Sequence, residues 1–397
     1  MQDKITVKSL LHLIDKEELE SIRLDTNVDY KSKKLSGEVV LKLLLMSILD
    51  NSKVSLRIME KVFSTPSFQL FSGVGKQGTV KYNSISERLS TINSNYFEKV
   101  FQHVFSLSKK YFKQGLEKHH IRQFDSASLS LSTRLLKKGM VNGLKNKEGK
   151  HTKTQVKFTV GLLHQLPGSL KFYNEQHYLG EDLTLREAIL DAGIGEGEIA
   201  VFDRGLKKRK TFKEFNDHNI LFVTRINPTK SVRVISEYDL TDQPATQSAT
   251  LRILSDQKVH LYHYAKNVFK EDFRLVKAES KTTGEILFFL TNITDLPAVQ
   301  ITEIYKKRWD IEVFFKFIKQ HLHFKHFISY NENGIKVMMY TTMIAAILIL
   351  IYKKLNKIEN YKMAKYDFIE ELNMEIIKEI VIICGGDPGK IPRYSRN

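Results

Sequence analysis

The sequence predicts a mixed α/β fold with helical regions on either side and a β-rich insertion within it. Three observations lead there. Short strand-like runs, Glu198 to Phe202 (EIAVF) and Ile220 to Ile226 (ILFVTRI), alternate with helical patterns, which argues for a sheet with crossover helices. Residues 1–118 carry apolar side chains at helical spacing, and so does the chain from Ala298 onward. Between 227 and 285 the helical pattern disappears, and strand-like runs follow one another with polar turns. These changes of character divide the chain into 1–118, 119–226, 227–285 and 286–397.

Taken in order, Glu38 to Ile48 and Tyr96 to Phe112 are the clearest N-terminal helices, and Ser84 to Ser90 offers a capped helix start. Ile121 to Ser132 (IRQFDSASLSLS) alternates like a strand, and a basic polar loop, Lys137 to Lys153, follows it. Gln155 to Leu163 and Ser169 to Tyr173 are two more strands, broken at Pro167-Gly168. Leu183 to Ala192 and Lys207 to Asp217 read as helices. The insertion offers strands at Val232 to Ile235, Leu251 to Leu254, Val259 to Tyr264 and Phe273 to Ala278. Ile286 to Thr291 resumes the buried-strand character. One long helix is expected from Ala298 to Leu322, capped by Thr294 and Asp295, with Pro297 near its first turn. Val337 to Tyr352 is apolar but short of the ~20 residues that span a bilayer, and reads as a helix buried against a sheet.

Composition narrows the function. Lys and Arg number 62 against 45 Asp and Glu, a net charge of +17, which favours polyanionic partners and nucleic acid first. One cysteine, Cys384, excludes an internal disulfide framework and cysteine-rich zinc sites. The N-terminus lacks the apolar core of a secretory signal, so a cytoplasmic protein with no membrane role is expected. Residues 1–118 then read as a helical DNA-binding domain, with a generic helical bundle as the alternative.

Three acids stand out by position. Asp125 lies on the first strand of the α/β region, Asp203 ends a short apolar strand, and Glu312 lies within a helix. Hard divalent cations need carboxylate oxygens converging from different elements. Two such ions can activate an attacking oxygen and stabilise a leaving one at phosphorus. On a helical wheel with Tyr305 at zero, Arg308, Glu312 and Lys319 fall within an arc of roughly 60°. A carboxylate among cations and a tyrosine suits a metal ligand flanked by phosphate-binding groups.

Tyr305-x2-Arg308-x3-Glu312-x6-Lys319 resembles the signature of DDE transposases of the insertion-sequence-four type. Phe202-Asp203-Arg204-Gly205 resembles that family's second-aspartate motif, and Phe124-Asp125-Ser126 the first, with Ser126-Ala127 where many relatives carry Gly-Thr. The intervals of 78 and 109 residues between the three acids are similar to the family's, whose longer second gap holds a β-rich insertion. The resemblance implies an RNase H-like mixed sheet and a cut-and-paste DNA transposase, with cleavage at transposon ends and transfer of the 3′-hydroxyl into target DNA. It implies that Asp125, Asp203 and Glu312 bind two Mg²⁺ ions, with Mn²⁺ as a substitute. Tyr305, Arg308 and Lys319 would hold phosphates, and Trp309 could stack on a displaced base. Arg204, Lys207 and Lys208 would neutralise phosphates near the metals. Double-stranded DNA, as terminal inverted repeats and as target, is the implied partner, bound by a homodimer on paired ends at the nucleoid. The alternatives are an inactive DNA-binding regulator and an RNase H-like nuclease without strand transfer.

Overall fold

The structure, a computed structural model, describes residues 6–392 apart from 12, 15, 50–53, 75–78, 113–118, 132–138, 142–153, 228–231, 242–245, 265–266, 325–327 and 330. Most of the basic loop expected at Lys137 to Lys153 lies outside the described residues. The described chain packs as two units. One holds the N-terminal helices and the chain from Phe315 onward; the other holds every strand and the helices between them.

In the first unit, α1 (Val7–Leu11), α2 (Lys16–Thr26), α3 (Gly37–Leu49), α4 (Leu56–Phe63), α5 (Pro66–Ser72), α6 (Tyr82–Thr91) and α7 (Ser94–Ser108) precede the sheet. Helix α6 starts two residues before the expected cap at Ser84. Its first amide, Tyr82 N, donates instead to Glu60 Oε2 of α4 at 2.9 Å, so the cap comes from a neighbouring helix.

The sheet of the second unit comprises β1 (His120–Leu131), β2 (Met140–Val141), β3 (Thr154–Leu163), β4 (Leu166–Tyr173), β5 (Glu198–Phe202), β6 (Leu221–Arg225), β7 (Val232–Glu237), β8 (Leu251–Tyr264), β9 (Asn267–Val268), β10 (Phe273–Ser280) and β11 (Ile286–Thr291). Its order is β2-β3-β1-β5-β6-β11-β10-β8-β7, with β4 on β3 and β9 on β8. Strand β1 runs antiparallel to β3 and parallel to β5, and β5 runs parallel to β6. An antiparallel group followed by parallel strands is the mixed sheet expected of an RNase H-like core. The insertion strands β7 to β10 continue this sheet through β11, which pairs antiparallel with β6.

Strand β5 shows why the centre is apolar on both faces. Ala200 and Phe202 join one core with α8 (Glu181–Leu190) and α9 (Arg209–Asp217), while Ile199 and Val201 join another with α10 (Ala298–Lys306). A parallel strand covered on both sides reads as a continuous apolar run rather than an alternation.

Several expectations need correction. The β3–β4 turn falls at His164-Gln165, both with positive φ (54° and 68°), as a two-residue hairpin turn requires. Pro167-Gly168 therefore sits inside β4, which pairs only with β3, and an outer strand tolerates the missing amide. The two strands expected at 251–254 and 259–264 are one, β8. The polar run between them was legible as a turn, but Asp256 is buried and paired with Arg274.

The long helix from Ala298 to Leu322 is broken into α10 and α11 (Trp309–His321). Around Lys307 the backbone turns to tighter bonds, with Arg308 N donating to Tyr305 O and Asp310 N to Lys307 O. Gln123 of β1 explains the break, because its buried Nε2 donates to Lys307 O at 3.2 Å and enters the helical ladder. Pro297, expected near the first turn, stands at the N-cap position of α10.

Helix α12 (Glu332–Leu355) is long and apolar enough to cross a membrane, yet its apolar window is 94% buried. It packs among α3, α6, α7 and α13 (Tyr361–Ile383), not against a sheet as expected.

Candidate active site

Asp125 and Asp203 are brought together by strand pairing. Phe124 of β1 is in register with Phe202 of parallel β5, so the residues that follow each stand at adjacent strand positions. Neighbouring strands lie about 4.8 Å apart. Thr224 Oγ1 of β6 donates to Phe202 O (3.0 Å) and Asp203 O (3.1 Å), which fixes the chain where β5 ends. Asp203 Oδ1 accepts from Gly205 N at 2.9 Å, and Asp125 Oδ1 accepts from Ser126 N at 2.8 Å.

Burial first, and the Asp203 charge second, push Asp125 up to about 7. The Ser126 amide and the Arg308 guanidinium oppose that rise, and Glu181 adds to it. A carboxyl kept protonated by burial and by a second carboxylate is one that a cation placed between them would ionise.

Glu312 comes from α11 and Arg308 from the break before it. Arg308 Nη2 donates to Glu312 Oε1 at 2.5 Å. The Arg308 guanidinium also lies 5.8 Å from the Tyr305 ring centre, and its charge reaches Asp125. Tyr305 ends α10, edge-on to Phe289 of β11 at 5.3 Å, and burial pushes its hydroxyl up. The helix break alters the expected wheel, but Arg308 and Tyr305 still lie within electrostatic reach of Asp125 and Asp203, and Glu312 is bonded to Arg308. Lys319 lies two turns beyond Glu312 on the same face of α11, with Nζ 5.1 Å from the Phe315 ring centre.

Trp309 is 62% exposed and takes no part in a core. Arg204 and Lys207 line a cavity of about 520 Å³ with Arg209 and Arg225, over a floor that includes Leu206 and Phe212. Lys208 is exposed beside it, its amide bonded to Asp182 Oδ1 at 2.8 Å. Sequence reasoning missed Arg225, which ends a buried strand with no motif around it, and Glu181, which opens α8.

The donors are hard oxygens, as a divalent cation requires. Among the described residues no three His, Cys, Asp or Glu side chains stand gathered as a finished metal cage. Asp125 and Asp203 are adjacent, whereas Glu312 is engaged by Arg308. The donor chemistry is that of a divalent-ion site, with Glu312 paired to Arg308 in this structure.

A family model described as "Transposase DDE domain" matches residues 114–348. A protein of Sinorhizobium fredii named as a transposase is 27% identical over 165 residues, 42% of this chain and 45% of that protein. One of Synechocystis, named as a transposase for the insertion sequence element IS4SA, is 25% identical over 312 residues, 76% and 78% of the two chains. The first of these matches therefore spans less than half of the relative's length, and the second more than three quarters. Among solved structures, the piggyBac transposase synaptic complex with hairpin DNA is similar with a TM-score of 0.49 and 10% identity, over 99% of this chain and 84% of that one. The family match takes in Asp125, Asp203 and Glu312 and more than half of the residues: this chain belongs to the DDE transposases.

Proposed function

We propose that the chain is a cut-and-paste DNA transposase, which cleaves the ends of a mobile element and joins the freed 3′-hydroxyls to target DNA. The observation that carries this reading is the placement of Asp125 and Asp203 one residue beyond the last paired position of parallel strands β1 and β5, in a chain of the DDE family. Asp125, Asp203 and Glu312 would hold two Mg²⁺ ions, for which Mn²⁺ can substitute. Bound there, the ions supply Lewis acidity to the attacking and leaving oxygens of a phosphodiester.

The chain's own residues do the positioning. The guanidinium fork of Arg308 matches phosphate oxygens as well as it matches Glu312. Its transfer to a DNA phosphate would release Glu312 to the metals, so that the site completes only on DNA. Tyr305 and Lys319 hold neighbouring phosphates, and exposed Trp309 is free to stack on a displaced base. Arg204, Lys207 and Lys208 neutralise the backbone beside the cut, with Arg225 across the cavity.

Residues 1–118 act as the DNA-binding part, supported by a cavity of about 980 Å³ edged by Lys31, Lys33, Lys34, Lys81 and Arg88. The core, 119–226 and 286–397, carries the chemistry, and 227–285 widens its sheet. The partners are terminal inverted repeats and target DNA, bound by a homodimer in the cytoplasm at the nucleoid.

The test is Mg²⁺-dependent cleavage of a plasmid carrying the DNA that flanks this gene, with wild type, Asp125→Ala and Glu312→Gln. Breaks at fixed inverted ends made by wild type alone are expected, with DNA binding retained by Glu312→Gln. Binding without breaks by wild type would replace the transposase with a regulator. Cleavage by Glu312→Gln at the wild-type rate would remove Glu312 from the metal site.

A further inference from the structure

We propose that Glu181 is a fourth carboxylate of the active site, contributing an oxygen to the divalent cation held between Asp125 and Asp203. The inference rests on the reading just given and concerns a residue outside all three motifs.

Gly205 supplies the first observation. A Cβ built on it would collide with Glu181 Oε2 and lie 2.9 Å from Asp203 Oδ1. Both carboxylates therefore crowd the same bare stretch of backbone, one from the end of β5 and one from the first turn of α8. The missing Cβ gives both carboxylates this room, and the backbone of Gly205 is not in the left-handed region.

The anchoring of the loop is the second observation. Asp182, next to Glu181, accepts at Oδ1 from both Lys207 N and Lys208 N. The turn that carries Asp203 is thereby tied to the start of α8, and Glu181 is held beside it through the backbone.

The third is the absence of a competing partner. Among the described residues no ion pair or side-chain hydrogen bond engages the Glu181 carboxylate, whereas Glu312 is taken by Arg308. The nearby cation, Lys157, is buried and spends a bond of its Nζ on Leu179 O. Three carboxylates approaching one another without a cation repel, and a bound divalent ion turns that repulsion into coordination. They reach such an ion by side-chain rotation. Glu181 would then let a metal load before DNA arrives, with Glu312 joining when Arg308 moves to a phosphate.

The test uses Mn²⁺ alone, titrated into the full chain without DNA and followed by the loss of free-Mn²⁺ paramagnetic resonance. Glu181→Gln should weaken Mn²⁺ binding roughly tenfold, the low end for removal of a supporting group at a metal site. Gly205→Ala, which displaces the flexible end of Glu181 and leaves the glutamate in the chain, should weaken it in the same direction. Asp203→Asn should weaken it more. Melting curves verify that each variant folds. If Glu181→Gln and Gly205→Ala bind like wild type while Asp203→Asn does not, Glu181 is no ligand and the active-site reading stands. Absence of Mn²⁺ binding by wild type overturns metal loading without DNA. Unchanged binding in all three variants overturns the metal assignment itself.

Discussion

Two arginine–carboxylate pairs in the strand-bearing unit have opposite characters. Arg274 and Asp256 are 3% and 0% exposed and meet through two parallel bonds, Nε to Oδ1 at 2.8 Å and Nη2 to Oδ2 at 2.6 Å. Arg274 Nη1 also donates to Leu296 O at 2.5 Å, tying the insertion to the chain that leads into α10, and the guanidinium faces the Tyr238 ring. Arg308 and Glu312 are 18% and 37% exposed and share one short bond. The first pair has every charge answered inside the protein, so it fixes β8 and β10. The second is half in water, where an ion pair is worth little and can be exchanged for a phosphate or a metal. Similar chemistry serves structure in one place and a reaction in the other, and burial decides which.

Breaking the buried pair should have the largest effect on stability. Arg274→Ala removes the guanidinium from a buried carboxylate, at an expected cost of about 3–5 kcal/mol in urea unfolding. A loss below about 1 kcal/mol would erase the contrast between the two pairs.

A smaller effect is expected at Asp125, and it depends on pH. Its folded value, raised to about 7 by burial and Asp203, means that the folded chain binds this proton more tightly than the unfolded chain does. The stability it contributes is complete below its unfolded value, near 4, and is lost as pH rises through about 7. Without metal, wild type should therefore lose stability relative to Asp125→Asn between about pH 4 and about pH 8, by an amount on the order of 1–3 kcal/mol. Added Mn²⁺ should restore it, because the metal favours the ionised form. Thermal melts of both proteins across that range check the sign; parallel curves would mean that Asp125 titrates as it does in water.

Arg308→Ala should cost less than about 1 kcal/mol, with the fold intact and binding to transposon ends weakened. An unfolded variant would make Arg308 a second structural arginine. Trp309→Ala should be nearly neutral, within about 0.5 kcal/mol, because its ring is already in water. Any marked change should then be confined to DNA complexes, read as weaker binding of the variant to end DNA with a displaced base.

The alternation of apolar strands and helices was legible because its signals are local. Glu198 to Phe202 and Ile220 to Ile226 could only be strands covered on both faces, and Asp203 follows one of them directly. What stayed hidden came from partners distant in sequence. Asp256 looked like a turn residue because its arginine is 18 positions away on another strand. The break at Lys307 was invisible because its cause, Gln123, lies 184 residues earlier. Glu181 carried no motif, and only the folded turn at Gly205 brings it beside Asp203. The three acids stood out as candidates by their surroundings in the sequence, but the grip of Arg308 on Glu312 required the fold.

Helix α12 has a consequence for how the chain is made. Its apolar faces are covered largely by α3, α6 and α7, which leave the ribosome long before it does. Those helices wait through the synthesis of the entire sheet for the segment that completes their core. The order is protective for α12, whose partners already exist when its membrane-like stretch emerges, so it is captured by protein before a bilayer can compete. The same order penalises truncation: a message that stops short of Glu332 yields N-terminal helices with exposed apolar surface, a substrate for chaperones and proteases.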